Sequence, residues 1–356
     1  MLNLDNIEEV KKIDKVNVAG SITELSLQFN QAWEEAGKIN FPKNYFGAEN
    51  IVFSGMGGSA LSAYVAKTLF LDELSLPFEI VNDYHLPEFV NSKSLVILSS
   101  YSGTTEETLS CASDALARKA NISGLTTGGK LAEFFKASNI PSYIFNPKHN
   151  PSNQPRMGIG YSIAGLLSLL RKLNLITLDS SILKQTIAVL EKGTKLFGLE
   201  SKTENNPAKQ VATQLVGKIP VIVAAEFMTN IGRVIRNQFN ENAKSFAAFH
   251  DLPELNHHLM EGLMYPKSNR ENLYFMFFRS NNYSSRILKR FQVTKDVVEK
   301  NGLKHFEFIP QSESRFSQVA ESIQFGSYVT YYLALLYQID PSKIPWVDYF
   351  KAQLAS

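Results

Sequence analysis

From Asn50 to Phe145 the chain alternates short apolar runs with segments of helical period, and this alternation restricts the fold more than any other feature. Ile51-Val52-Phe53 reads as a strand, Ser59 to Leu71 as a helix, Phe78 to Val81 as a strand and Leu95 to Leu98 as a buried strand. Glu106 to Arg118 then reads as a helix, Ile122 to Leu125 as a strand, Lys130 to Ala137 as a helix and Tyr143 to Phe145 as a strand. Strands separated by helices pair in parallel, and a parallel sheet buries both faces under helices. The expected class is α/β, with a mainly parallel, doubly wound sheet closing near residue 147.

Asn146 to Arg156 carries Pro147, Pro151 and Pro155 among polar residues and reads as a linker. Apolar helical pattern resumes at Ile159 to Leu173, and a second alternation follows. Pro220 to Ala224, Leu273 to Phe278 and His305 to Ile309 read as strands, while Thr229 to Phe239, Ser285 to Lys300 and Ser314 to Gln338 read as helices. The order echoes the first half, although the residues themselves are only weakly similar. Pro345 to Leu354 reads as a terminal helix, with Pro345 suited to its first turn. The expected organisation is an N-terminal helical segment over 1–45, a first domain over 46–150 and a second over 151–356. In the N-terminal segment Ser21-Ile22-Thr23-Glu24 fits a capping box. Ile22, Leu25, Phe29, Trp33 and Ala36 follow on one helical face, with Gly37 as the stop.

Two loops carry the chemistry. Ser54-Gly55-Met56-Gly57-Gly58-Ser59-Ala60 directly follows the first strand, and Ser100-Tyr101-Ser102-Gly103-Thr104-Thr105-Glu106-Glu107-Thr108 follows the strand Leu95 to Leu98. Strand-to-helix turns present unpaired backbone N–H groups, and the helix dipole favours an anion there. Glycines let the backbone approach a phosphate, and hydroxyls add donors without charge. Both turns lie at the carboxyl ends of strands, where open α/β sheets bind ligands. Ser59, Ser100, Ser102 and Thr105 can converge on one anion, while Thr104 with Glu107 also fits a capping box. The first loop satisfies G-x-G-x-x-A, the dinucleotide fingerprint, but that reading also wants an acid closing the second strand. Asp83 is near enough to consider, yet Asn82-Asp83-Tyr84-His85 reads as a loop edge. A nucleotide or a sugar phosphate suits these loops equally.

Composition narrows the classes. The 356 residues suit two domains, and 36 basic against 34 acidic residues leave a net charge of +2 with no basic block. Neither a nucleic-acid nor a membrane partner is expected. Cys111 is the single cysteine, which excludes an internal disulfide framework, and it reads as a small buried residue. The start, Met1 to Glu9, is too acidic for a signal peptide, and no apolar segment reaches the ~20 residues of a membrane span. A cytoplasmic location is the expectation. His250, His257 and His258 fall close together, but no carboxylate stands at a recognisable ligand spacing, so no metal is expected.

Gly55-Met56-Gly57-Gly58-Ser59-Ala60 together with Ser100 to Thr108 resembles the sugar isomerase (SIS) domain. Within that superfamily the chain, over roughly residues 45–356, most resembles the bifunctional phosphoglucose/phosphomannose isomerase family, whose members carry two SIS domains. The resemblance implies an aldose–ketose isomerase acting on glucose 6-phosphate and fructose 6-phosphate. Gly57, Gly58, Ser59, Ser100, Ser102 and Thr105 would hold the phosphate. Arg156, in Gln154-Pro155-Arg156, matches an arginine that faces the sugar, where a guanidinium stabilises an enediolate as it forms. The family's base falls on Glu241, in Asn240-Glu241-Asn242, and the apolar Phe246-Ala247-Ala248-Phe249 that follows suggests the partial burial that tunes a carboxylate as a base. Its ring-opening histidine falls on His257, after Asn256, and is contributed across a dimer interface in related structures. Lys351, in the terminal helix, matches a lysine that assists ring opening. His250 and His258 match no role and read as structural.

The resemblance calls for no metal and no redox cofactor. It implies a homodimer in which a partner supplies His257. The family's mannose 6-phosphate activity is associated with a threonine about two helical turns before the lysine. This chain has Ile344 in that region, with Ser342 the nearest hydroxyl. Two other readings stand beside this one: another SIS-domain phosphosugar isomerase, or a non-enzymatic sugar-phosphate-binding regulator. Regulators of that kind carry a helix-turn-helix module, for which residues 1–45 are short and not basic.

Overall fold

A computed structural model of the chain describes residues 2–354. Two short helices, α1 (Ile7–Ile13) and α2 (Val18–Thr23), precede α3 (Leu25–Ala36). A first sheet follows, with strands β1 (Asn50–Gly55), β2 (Phe78–Val81), β3 (Ser94–Ser99), β4 (Asn121–Thr126) and β5 (Tyr143–Ile144). Helix α4 (Leu61–Leu69) follows β1, α5 (Glu106–Ala117) follows β3 and α6 (Gly129–Ala137) follows β4. Then come α7 (Ile159–Lys172), α8 (Ser180–Phe197) and α9 (Pro207–Gln214). A second sheet contains β6 (Ile219–Ala225), β7 (Ala248–Leu252), β8 (Leu273–Phe278) and β9 (Lys304–Phe308). Helix α10 (Ile231–Asn242) joins β6 to β7; α11 (Leu255–Gly262) and α12 (Asn269–Asn272) join β7 to β8; α13 (Ser285–Lys300) joins β8 to β9. Helices α14 (Arg315–Leu336) and α15 (Pro345–Leu354) close the chain.

Packing divides the chain into two compact units, one over Glu24–Ala188 and one formed by the segments up to Thr23 and from Val189, so the division falls within α8. The first unit includes α3 and α7, which pack along one another. The sequence boundaries near 45 and 150 follow the loops and the proline-bearing segment, whereas this division follows contacts.

In the Glu24–Ala188 unit all strands are parallel, in the order β2-β1-β3-β4-β5. On one face Val52, Val96, Leu98 and Ile122 pack against Cys111, Ala112 and Ala115 of α5 and Leu131 and Phe135 of α6. Ile159 to Leu170 of α7 is buried throughout, and Tyr161 stacks on Phe145 with ring centroids 4.9 Å apart. Gly55 of β1 pairs with Ser99 of β3, so the chain leaves both strands at one level of the sheet. That register puts the glycine-rich and hydroxyl-rich loops side by side.

In the other unit the sheet is again parallel, in the order β7-β6-β8-β9, which repeats the first four strands of the first sheet. Phe316 to Leu336 of α14 is buried at every position, its polar side chains included. Phe325 stacks on Phe308 at 4.1 Å. Its buried Glu321 accepts hydrogen bonds from the backbone N–H groups of Gln311 and Ser312 and from the Ser312 hydroxyl (2.7 Å). The N-terminal helices belong to this unit. Asp14 accepts from the N–H groups of Val18 (2.7 Å) and Ala19 (2.9 Å) and from the Tyr331 hydroxyl (3.1 Å).

Both expected capping boxes fail. Ser21 lies inside α2, and Glu24 precedes α3 without a side-chain cap. Asp14 already holds the start of α2, which moves the helix start upstream of Ser21. Thr105, not Thr104, stands at the N-cap of α5, and Thr104 pairs with Ser102 instead. Strand β7 was not expected: Ala-Phe-His-Asp-Leu is short and lacks an apolar run.

Candidate active site

The glycine loop begins at a 3-10 turn, Gly57–Ala60, that leads into α4. Gly57 has φ +48°, a left-handed conformation that favours glycine. Ser59 is buried, and its Oγ accepts the Tyr101 N–H at 3.0 Å. The Ser59 hydroxyl thus acts as an acceptor in this bond and retains one O–H to donate elsewhere.

The hydroxyl loop holds its shape by two pairs. Ser100 Oγ lies 2.8 Å from Thr105 Oγ1 and accepts the Gly103 N–H at 3.0 Å. Ser102 Oγ lies 2.9 Å from Thr104 Oγ1. Ser100 is fully buried, Ser102 and Thr104 are exposed and Thr105 is half-buried. Ser100 therefore acts on the loop itself, while Ser102, Thr104 and Thr105 face outward at the start of α5. Gly103 has φ +69°, and a Cβ there would overlap the Gly128 carbonyl oxygen. The loop leans on the following turn through Thr127, whose Oγ1 donates to the Tyr101 carbonyl at 2.7 Å. Tyr101 anchors the centre: its OH receives a hydrogen bond from Asn150 Nδ2 at 2.8 Å, and burial pushes the phenol up to about 12.

Arg156 joins this group. It sits in a 3-10 turn, Pro155–Met157, is 1% exposed and donates from Nη1 to Gln154 Oε1 at 3.1 Å. The Gly58 Cα faces the Arg156 backbone, so a Cβ at Gly58 would rest 3.4 Å from it. Gly57, Gly58, Ser59, Ser100, Ser102, Thr105 and Arg156 thus gather in the Glu24–Ala188 unit. Gln154, Asn150 and Thr127, which hold Arg156 and Tyr101, were not singled out for these roles. Their signal, polar residues in turns at the carboxyl edge of the sheet, is too common to read. Asp83 is exposed beyond β2, and Asn82 Nδ2 donates to the Gly55 carbonyl at 2.6 Å.

Glu241, His257 and Lys351 lie in the other unit. Glu241 is half-buried in the last turn of α10. The end of that helix is fixed on both sides: Asn242 Nδ2 donates to Thr330 Oγ1 at 3.1 Å, and Asn240 Oδ1 accepts the Ala247 N–H at 3.2 Å. His257 is exposed on α11, while Asn256 beside it is held by Thr294 (2.8 Å) and Arg290 (3.0 Å). His250 of β7 lies with its ring 5.8 Å from that of His258. Burial first, and His258 second, push the His250 imidazole below its ordinary range against the opposing pull of Asp251. Lys351 is exposed on α15 beside Tyr349 and Phe350, which are 60% exposed. Among the described residues no group of three His, Cys, Asp or Glu side chains is placed to hold a metal ion, and no helix is long and apolar enough to cross a membrane.

Over 343 residues the chain is 35% identical to the bifunctional phosphoglucose/phosphomannose isomerase of Caldicellulosiruptor bescii, covering 94% of this chain and 98% of the relative. The chain belongs to the bifunctional phosphoglucose/phosphomannose isomerase family. A second member, from Aquifex aeolicus, is 31% identical, covering 92% of this chain and 95% of its own. Residues 204–354 match the family described as bacterial phospho-glucose isomerase C-terminal SIS domain. The fold also matches a crystal structure of a glucose-6-phosphate isomerase-like protein from Thermus thermophilus, with a TM-score of 0.64 at 18% identity, covering 98% of this chain and 100% of that one. Two parallel-sheet SIS-type units are therefore the family's architecture in this chain as well.

Proposed function

We propose that the chain interconverts glucose 6-phosphate and fructose 6-phosphate, and that mannose 6-phosphate is a further substrate of the same chemistry. Ser59, Ser102 and Thr105 hold the phosphate through hydroxyl and backbone donors, with Gly57 and Gly58 allowing close approach and Ser100 fixing the loop. His257 and Lys351 assist ring opening. Glu241 carries the proton between C2 and C1 through a cis-enediolate, and Arg156 stabilises the charge on the enediolate oxygens. Each step moves a proton or stabilises an anion, so the reaction runs on side chains alone.

The observation that supports this most is the Ser59–Tyr101 hydrogen bond, which ties the glycine-rich loop to the hydroxyl-rich loop. The relatives' names supply the substrates. An exposed His257 fits a residue that serves a partner's site, and Trp346, at 80% exposed on α15, fits a helix that becomes covered in a homodimer. A cytoplasmic location belongs to the same reading, since phosphorylated sugars are charged and do not enter a bilayer unaided.

The test is turnover of fructose 6-phosphate to glucose 6-phosphate in a coupled assay, run beside mannose 6-phosphate. Turnover of the first is expected. Saturable binding of both sugars with no turnover of either would instead favour a sugar-phosphate-binding regulator.

A further inference from the structure

Glu24, Gln28 and Gln31 recur at spacings of four and three, which brings them to one side of α3. All three reach the segment from Asn146 to Tyr161, which contains Arg156. Gln28 is fully buried. Its Nε2 donates to the carbonyls of His149 and Met157, each at 3.0 Å, and its Oε1 accepts the Gly160 N–H at 3.2 Å. One amide thus ties the chain before Arg156 to the chain after it. Glycine at 160 permits this approach, because a Cβ there would lie 2.7 Å from the Gln28 Cβ. Gln31 adds two ties: its Nε2 donates to the Asn146 carbonyl at 3.0 Å, and its Oε1 accepts the Tyr161 hydroxyl at 2.8 Å. That hydroxyl accepts the His149 N–H at 2.9 Å, and His149 Nδ1 lies 2.8 Å from Glu24 Oε2.

We propose that Gln28 is a positioning residue for Arg156, setting where the guanidinium stands relative to the phosphate loops. The turn that Gln28 holds rests its backbone against Gly58, so the arginine and the glycine-rich loop share one frame. A guanidinium stabilises an enediolate only when aimed at the oxygens on which charge develops. A small displacement therefore costs rate more than it costs binding of the distant phosphate. Gln28 is buried away from solvent and acts only through the turn. The inference rests on reading Arg156 as the group that stabilises the enediolate.

The experiment compares Gln28→Met, which keeps the side-chain length and removes all three bonds, with Arg156→Lys and with the double variant. The readouts are kcat on fructose 6-phosphate, affinity for inorganic phosphate and affinity for arabinonate 5-phosphate. The carboxylate of that last compound stands in for the two enediolate oxygens. Gln28→Met is expected to lower kcat and arabinonate 5-phosphate affinity by about tenfold or more, with inorganic-phosphate affinity kept within about twofold. In the Arg156→Lys background the same substitution should lower kcat by less than about twofold, because the group it positions is gone. Gln28→Glu, which keeps the shape and the acceptor for Gly160, gives the same readouts if the methionine variant does not fold. Loss of both affinities by one factor, or full additivity with Arg156→Lys, would make Gln28 a core residue and overturn the proposal. Weaker arabinonate 5-phosphate binding in Arg156→Lys with none in a folded Gln28 variant would overturn the proposal alone. Unchanged binding of that compound in Arg156→Lys would overturn the reading of Arg156, and the proposal with it.

Discussion

The Ser59 hydroxyl accepts the backbone N–H of Tyr101 at 3.0 Å, across 42 residues of sequence. This bond couples a glycine-rich turn to a hydroxyl-rich turn on adjacent parallel strands. Ser59→Ala removes the acceptor and leaves a buried N–H unpaired, at a cost of about 1–3 kcal/mol. On the proposed function it also removes one donor to the substrate phosphate. The expected result is a lower urea midpoint and a KM for fructose 6-phosphate raised about tenfold, with kcat changed much less. An unchanged KM would show that Ser59 serves the fold and not the ligand.

Gly57 and Gly103 both have positive φ, but they answer to different constraints. At Gly57 an added methyl would meet open space, so Gly57→Ala costs only the left-handed backbone, about 1 kcal/mol. At Gly103 the methyl would strike the Gly128 carbonyl, and the Gly103 carbonyl itself accepts the Leu131 N–H at 2.9 Å. Gly103→Ala should therefore cost on the order of 3 kcal/mol and disturb the start of α6 as well as the cradle. Denaturant unfolding of the two variants side by side checks the difference.

How much of this was legible in the residues depends on range. Leu95 to Leu98 and Leu273 to Phe278 are continuous apolar runs, and both are buried strands, β3 and β8. Strand β7 escaped because Ala248 to Leu252 derives its strand conformation from pairing with β6, not from its own composition. Ser21 has the residue pattern of a cap, yet Asp14 reaches the same helix start first. That competition involves a residue outside any local motif. The two loops were legible as turns at the ends of adjacent strands because glycines and clustered hydroxyl side chains after an apolar run mark such turns. Asn150 was not, because the fold brings it to Tyr101, 49 residues away in sequence; Gln154 stands two residues from Arg156, but a glutamine in a polar turn carries no signal of its own.

His250 gives a pH dependence with a definite sign. Its folded-state pKa lies below the unfolded value of 6.5, chiefly through burial. The unfolded chain then binds the proton more readily than the folded one, so stability rises with pH through the window between the two values. The contribution is complete above the unfolded pKa and is lost as pH falls through the folded pKa. Wild-type melting temperature should fall on acidification from about pH 7 to 5, and His250→Gln should fall less steeply over that window. Parallel slopes would assign the acid sensitivity to other groups.

Glu241 and His257 provide the sharpest test of the assembly. Glu241→Gln should lower kcat by at least about a hundredfold and abolish exchange of the C2 proton into solvent, with sugar-phosphate binding largely retained. His257→Ala should be similarly impaired on the cyclic substrate, whose ring must first open. If each site takes Glu241 from one chain and His257 from its partner, a mixed dimer of the two variants places both defects in one site and leaves the other intact. Mixing the two inactive proteins, after dissociation and reassociation, should then restore about a quarter of wild-type activity, because half of randomly formed dimers are mixed and each has one working site. Restoration requires that the two residues come from different chains. If both came from one chain, every site in the mixture would be defective, and activity would stay at the level of the separate variants.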